Sequence, residues 1–458
     1  MQEDIIVACG TPQGYGGISI IRISGAGAVT LAEKIFVSKK SLSSVPARYM
    51  TLGKLKDIKG QIFDTVLAVR FAKGQSYTGE EMVEFHCHGG FASANHCISQ
   101  LLSLGARMAI NGEFTRRAYT NGKINLLQAE AVNALISSSS TTALKAASRT
   151  LTGELNTKIQ NILQELTNFS ATLEVDLDFP EESDGFLTQE EKIETCNSIL
   201  LEMQKLLAKC KAGRLLQNGF NIAIVGLPNV GKSSTLNALL EKDKAIVTDI
   251  PGTTRDIIED KIVIGGIPIN IIDTAGIRDT SDIVENLGVE RSCKAIETAD
   301  LVLCLLDVSQ KANDQKNFVH KYITDANSIL LLNKIDLPKE LKCLSLKDLE
   351  NNFPDKKIIE FSAKSKIGIE SLKNEIFALA SASSDIENAY SVSTRQEECL
   401  LQTINEIEES IKLLQANEMP DVIITTVSSA RKQIANFLGV DATEDLLDAV
   451  FSKFCVGK

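Results

Sequence analysis

The residues most able to do chemistry are Gly226-Leu227-Pro228-Asn229-Val230-Gly231-Lys232-Ser233. This is Gly-x4-Gly-Lys-Ser between an apolar run, Asn221–Val225, and a helical stretch, Ser234–Leu240. A strand, this loop and a helix together make a phosphate cradle: backbone N–H groups turn inward at the positive end of a helix dipole. Lys232 then reaches the β- and γ-phosphates, and the Ser233 hydroxyl ligates Mg²⁺.

Three further clusters follow in order, each after a β-branched or Leu-rich run. Asp273-Thr274-Ala275-Gly276 supplies a carboxylate for water-bridged Mg²⁺ and a backbone N–H for the γ-phosphate. Asn333-Lys334-Ile335-Asp336 supplies an acid that accepts from guanine N1–H and the exocyclic amine, a pattern adenine lacks. Ser362-Ala363-Lys364 offers a backbone N–H to guanine O6. Asp-x-x-Gly alone is common by chance; four elements in this order specify a guanine nucleotide over ATP. The GTP contacts expected are Asn229, Val230, Gly231, Lys232, Ser233, Ser234, the segment Thr248-Asp249-Ile250-Pro251-Gly252-Thr253-Thr254, Asp273, Thr274, Ala275, Gly276, Asn333, Lys334, Asp336, Ser362, Ala363 and Lys364. Ile277 follows Gly276 where Ras-like switches place the glutamine that orients water. Isoleucine cannot do that, so Asn229 and the hydroxyls and carbonyls of 248–256 become candidates for an alternative arrangement.

The elements that position these groups follow from pattern. Residues 221–380 alternate strand and helix: Asn221–Val225, Lys261–Ile264, Ile267–Ile272, Leu301–Asp307, Ile329–Asn333 and Lys357–Phe361 read as strands of a doubly wound, mostly parallel sheet. Residues 1–120 read as an α+β unit, with strands Ile5–Ala8, Gly17–Ile23, Val66–Phe71 and Met82–Cys87 and a helix Ala92–Leu104. Long amphipathic helices fill 121–218, with a break at Phe179-Pro180, and 381–458, with helices Gln396–Asn417, Val422–Leu438 and Thr443–Phe454. The last segment is near the size where a lone core is marginal. The two helical segments are therefore expected to form one domain, with 219–380 inserted into it.

Length of 458 residues suggests about three domains. No run approaches the ~20 apolar residues of a membrane span. The N-terminus is acidic, without leader character, and ten cysteines are scattered without a Cys-x-x-Cys pair, which fits a reducing cytoplasm. Net charge −11 argues against a broad nucleic-acid-binding surface. A ribosome-assembly or RNA-binding switch GTPase is the rival reading; it calls for a KH-like module or basic tail, and neither is visible. Lys205, Lys209, Lys211 and Arg214 lie at helical spacing and read as a solvated face. In Phe85-His86-Cys87-His88, alternation puts both histidines on one strand face, a geometry open to a metal, but a plain strand edge entering Gly89-Gly90 is preferred. Cys455 reads as a small buried hydrophobe after a helix, and Cys-Val-Gly-Lys is a poor prenylation signal.

Gly17–Ser24, Thr78–Glu84, His88-Gly89-Gly90, Gly112-Glu113-Phe114-Thr115, Thr248–Asp256 and Phe454-Cys455-Val456-Gly457-Lys458 together resemble the tRNA modification GTPase family MnmE (TrmE). The resemblance runs the length of the chain. It implies a K⁺-dependent GTPase whose G domains meet within a homodimer, with K⁺ held by Asn229, Thr248, Ile250 and Thr253 and Mg²⁺ by Ser233 and Thr254. It implies Glu285 as the group that orients water indirectly, with Arg278 as a weaker switch candidate and Asp273 as a catalytic-site acid. It implies a tetrahydrofolate-binding N-terminal domain with Arg22, Glu84, Lys123 and Lys458 at the folate, and Cys455 as a participant in modification. Its implied partners are tRNA and the flavoprotein MnmG. The implied product is an aminomethyl or carboxymethylaminomethyl group at C5 of the wobble uridine, position 34, with a 5,10-methylene- or 5-formyl-tetrahydrofolate donor.

Overall fold

The structure is a computed structural model and describes residues 4–12, 14–178, 187–243, 260–273, 295–323, 326–382, 385–440 and 442–458. The chain forms two compact units: Met1–Asn133 with Asn156–Ser170 and Ser428–Lys458, and Ala134–Leu155 with Ala171–Val427.

The first unit is built on a seven-stranded sheet. Its strands are β1 (Ile6–Cys9), β2 (Ile18–Ser24), β3 (Phe36–Ser38), β4 (Thr51–Lys56), β5 (Ile62–Phe71), β6 (Met82–His88) and β7 (Arg107–Met108). Their order is β3-β4-β5-β6-β2-β1-β7, antiparallel except for β1 with β7. Alternation sends Ile21, Ile23, Val83, Phe85 and Cys87 into one core, shared with helices Ala28–Ile35 and Phe91–Ser103. The opposite alternates, Arg22, Glu84 and His86, lie on the other face. Helices Glu113–Thr120 and Glu444–Phe451 are tied by Arg116 Nη1 to Asp448 Oδ1 at 2.7 Å.

The four strands expected here are present, one to four residues longer or shifted. β3, β4 and β7 are additions. β3 and β7 are too short to show a period, and the inward positions of β4 are Gly53 and Leu55, so its alternation carries little apolar signal.

The second unit holds a six-stranded sheet of β8 (Phe220–Val225), β9 (Asp260–Ile264), β10 (Ile267–Asp273), β11 (Leu301–Asp307), β12 (Ser328–Asn333) and β13 (Lys357–Glu360), ordered β13-β12-β11-β8-β10-β9. Only β9 is antiparallel to its neighbour. The central strands are apolar through their middles, with polar residues such as Asn221, Asp307, Ser328 and Asn333 at their ends, because both faces are covered. Ile222, Ile224, Leu303, Leu305 and Leu331 enter one core; Ala223, Val225, Val302, Cys304 and Leu332 enter the other.

Two long helices stand in the same unit. Gln189–Asn218 opens with a Thr188/Glu191 capping box and Thr394–Gln415 with a Ser393/Gln396 box, each satisfying N-terminal donors that would otherwise be orphaned. Arg214 Nη1 meets Glu397 Oε2 between them at 2.6 Å, so this residue is more than a solvated charge. Ala143 and Ala146, from Thr141–Leu151, and Ala212 and Leu216, from Gln189–Asn218, belong to the same core as the strands. The fold is thus α/β plus α: an α+β N-terminal part, and a helical part interrupted by a Ras-like P-loop sheet domain.

Candidate functional site: a nucleotide cradle and a tail-closed acid–base pair

β8 ends at Val225 and the chain turns through Gly226–Gly231 into helix Lys232–Asp243. Gly231 has φ 103°, strained for any residue with a Cβ, and a Cβ there would lie 2.5 Å from Asn333 Nδ2 and disturb its bond to Val230 O. Asn229 is left-handed at φ 62° and exposed. Lys232 Nζ is held over the loop by Gly226 O at 3.0 Å and Leu227 O at 3.1 Å. Ser233 and Ser234 are exposed on the first helical turn, where free N–H groups and the dipole favour an anion.

The other strands deliver their groups to the same edge. Asp307 and Asn333 pair in register at the ends of β11 and β12. Asn333 Nδ2 donates to Val230 O at 2.8 Å, and its Oδ1 accepts from Ala363 N at 3.2 Å, so one amide ties the phosphate loop to the loop after β13. Ser362 Oγ donates to Asp336 Oδ1 at 2.6 Å and fixes the exposed carboxylate that would read guanine. Lys334 Nζ reaches Asn229 O at 3.0 Å and Asp307 Oδ2 at 2.6 Å. Asn229–Ser234, Asn333, Lys334, Asp336 and Ser362–Lys364 therefore occupy one rim, at the carboxyl ends of the strands, where open α/β sheets bind ligands. Asp273 ends β10, paired in register with Ile224 of β8. Residues 248–254, 274–276, Arg278 and Glu285 lie outside the described residues, as does the expected break at 179–180.

In the first unit β2 and β6 pair so that Arg22 faces Glu84, with Nε and Oε1 2.9 Å apart. His86 follows on the same face, its Nε2 3.7 Å from Glu84 Oε2 and otherwise without a hydrogen bond. The C-terminal residues close over this pair: Arg22 Nη1 donates to Gly457 O at 3.2 Å, and Asn111 and Val456 form an antiparallel bridge. Burial pushes the Lys458 ammonium below its ordinary pKa, and Arg22 adds to that, while Cys455 and Glu84 act in the opposite sense. Tyr77 bonds Thr115 Oγ1 at 3.0 Å; burial pushes its phenol up, against that hydrogen bond and the charge of Arg22. Arg22, Glu84, Lys458 and Cys455 are thus brought together, whereas Lys123 Nζ donates to Gly74 O at 2.9 Å on the loop before β6.

Cys455 is exposed, contrary to its reading as a buried hydrophobe. The next residue, Val456, bridges Asn111, and the Cys455 carbonyl accepts from Gly112 N at 3.4 Å. The buried thiols differ: desolvation pushes Cys196 and Cys304 up to about 12, leaving them protonated and inert. His88 Nδ1 lies 2.6 Å from Asp64 Oδ1, so the two histidines face different acids. Among the described residues no three His, Cys, Asp or Glu side chains group as a metal site. Sequence reasoning missed the Gly457 carbonyl, a backbone group no motif reports, and Asp307, whose only signal is an acid at a strand's carboxyl end.

Comparison with known proteins adds two family matches: the MnmE helical domain over residues 126–455 and the GTP-binding protein TrmE N-terminus over 5–123. A curated relative from Thermoanaerobacter sp. (strain X514), "tRNA modification GTPase MnmE", is 40% identical over 100% of both chains. Its namesake from Aquifex aeolicus (strain VF5) is 38% identical over 99% of both. Among solved structures, the FeoB G-domain from Methanococcus jannaschii matches with 29% identity and a TM-score of 0.26, covering 35% of this chain and 97% of its own.

Proposed function

This chain belongs to the tRNA modification GTPase MnmE family and is a GTP hydrolase; from that premise we propose that it spends GTP hydrolysis on installing a one-carbon-derived group on the wobble uridine of tRNA. The observation that carries the nucleotide half is the convergence of Asn229–Ser234, Asn333, Asp336 and Ser362–Lys364 on one rim. Lys232 binds the β/γ-phosphates, the amides after Pro228 cradle them, and Asp336 with the Ala363 amide selects guanine. The exposed Ser233 hydroxyl and Asn229 side chain are suited to Mg²⁺ and K⁺ respectively, with Thr254 completing the first set and Thr248, Ile250 and Thr253 the second. Bound there, the two cations would offset charge developing at the β–γ bridge. Glu285 orients the attacking water in place of the glutamine that Ile277 lacks, with Arg278 and Asp273 supporting the switch.

The Arg22–Glu84–Lys458 cluster supports the second half. A paired guanidinium and carboxylate beside a half-buried amine suits a ligand with a pterin edge and a glutamate tail, such as 5,10-methylene- or 5-formyl-tetrahydrofolate. Lys123 would contact it from the 74–79 loop. The exposed Cys455 thiol, beside Lys458, acts in the modification at C5 of uridine 34. The working form is a cytoplasmic homodimer with the flavoprotein MnmG, the latter supplying redox chemistry. The parts are residues 1–120 for folate and dimerisation, 121–218 with 381–458 as the helical domain, and 219–380 as the GTPase.

Nucleoside analysis of tRNA from cells lacking the gene tests this reading. Loss of the aminomethyl or carboxymethylaminomethyl uridine is expected; an unchanged profile with impaired ribosome maturation would favour the assembly-GTPase alternative.

A further inference from the structure

The turn that follows β11 grips the phosphate loop from behind. Three successive loop carbonyls are each held from the ends of neighbouring strands. Pro228 O accepts from Gln310 Nε2 at 3.0 Å, Asn229 O from Lys334 Nζ at 3.0 Å, and Val230 O from Asn333 Nδ2 at 2.8 Å. A trans peptide points its carbonyl and the next N–H in opposite directions. Fixing these carbonyls outward therefore turns the amides of Asn229, Val230 and Gly231 toward the phosphates. Asn333 and Lys334 belong to the guanine-reading motif; Asp307 and Gln310 belong to no motif.

Asp307 is built as a support. Its side chain is 2% exposed. One oxygen accepts from Ser309 N at 2.8 Å and Ser309 Oγ at 2.7 Å, and the other takes the Lys334 ammonium at 2.6 Å. Its backbone is clamped by fully buried Gln315, which accepts from Asp307 N at 2.6 Å and donates to Asp307 O at 2.8 Å. A carboxylate held this firmly by neutral donors presents a fixed charge to the Lys334 ammonium, which also donates to Asn229 O.

We propose that the Asp307–Gln310 turn is a positioning device for GTP hydrolysis, in which Asp307 acts through Lys334, and Gln310 acts directly, to hold the amides of Asn229 and Val230 at the phosphates. The guanine-reading loop and the phosphate loop are then one mechanical piece. The inference rests on the guanine-nucleotide reading of this rim. Failure of the wild-type chain to bind GDP would sink that reading, separately from the variants below.

The test is GDP affinity and steady-state GTP hydrolysis in the full chain. Asp307→Asn keeps the shape but loses the charge, and is expected to weaken GDP binding about tenfold. Lys334→Met should weaken it comparably, and the double variant no further, because both changes break one chain of contacts. Gln310→Ala, at a half-buried position, should weaken GDP about threefold without lowering the melting temperature of the nucleotide-free protein. In Asp307→Asn the K⁺ concentration for half-maximal rate should also rise severalfold, because Asn229 shifts with its carbonyl; an unchanged value would overturn the coupling to Asn229. Asp307→Asn and Lys334→Met losses that add in full would overturn the route through Lys334. Should Asp307→Asn fail to fold, Gln310→Ala decides the matter: wild-type GDP affinity there would overturn the brace.

Discussion

Asp336 accepts from Ser362 through Oδ1, which leaves Oδ2 directed by a bond already made. Guanine offers it two donors, while xanthine offers an acceptor at the 2-position. Asp336→Asn should therefore lose GTP on the order of 10²-fold or more and gain xanthosine triphosphate, read as KM for each nucleotide. Glu285→Ala should lower kcat by about 10²-fold with little change in KM, since water orientation matters only in the transition state. The described rim residues were legible because their chemistry is carried by side-chain type at fixed spacing. Asp307 and Gln310 were not, because Gln310 holds a backbone carbonyl of another loop and Asp307 reaches that loop only through Lys334. The burial expected of Cys455 as a free cysteine after a helix fails, since the thiol is exposed next to Val456, which bridges Asn111.

At the scale of elements, the segment before helix Glu113–Thr120 is fixed by charge. Arg107 bonds Asp4 and Glu113, and Arg117 bonds Asp4, Glu80 and Glu113. The Arg107 hydrogen bond holds the Asp4 carboxyl below the usual range. Burial alone would push Glu113 up, but Arg107, the Ile110 N–H and Arg117 outweigh it and hold it down. Stability from such lowered acids is complete above the ordinary carboxylate value of about 4 and is lost as pH falls through the lowered ones. The melting-temperature gap between the wild type and Glu113→Gln should thus be widest at neutral pH and close toward pH ~3. The C-terminal strap makes a second prediction. Gly457 has φ 92°, and a Cβ would sit 2.4 Å from Cys9 O. Gly457→Ala should displace the strap, reducing affinity for a tetrahydrofolate by about tenfold or more while leaving GTP hydrolysis intact, measured by calorimetry and phosphate release. Strand and helix existence was readable from period; β3, β4 and β7 needed the sheet itself to define them.

For the whole molecule, the inserted sheet is not sealed off from the helices around it. Ala212 is fully buried in the core that also contains Ile269 and Ile271 of β10. Ala212→Asp should cost roughly 3–5 kcal/mol, because an unpaired charge enters that core. It should also speed amide exchange in β10, whose end carries Asp273; unchanged exchange there would count against the shared core. GTP hydrolysis in K⁺ should exceed that in Na⁺ severalfold, and rise with protein concentration if two G domains meet; equal rates in both salts would refute the K⁺ assignment. The interrupted helical architecture was legible from the order of patterns, whereas the shared core was not, because small alanines leave no apolar stripe.

Arg22 and the Gly457 carbonyl it binds are 435 residues apart. At ribosomal speeds of about 5–20 residues per second, the β2–β6 pair, complete at His88, waits on the order of 20–75 seconds for its strap. The residues of the nucleotide rim, through Lys364, all precede Gly457 in the chain. Until residues 456–457 dock, the Arg22–Glu84 pair has only its own sheet around it, so its closure is a long-range and therefore slow step of folding.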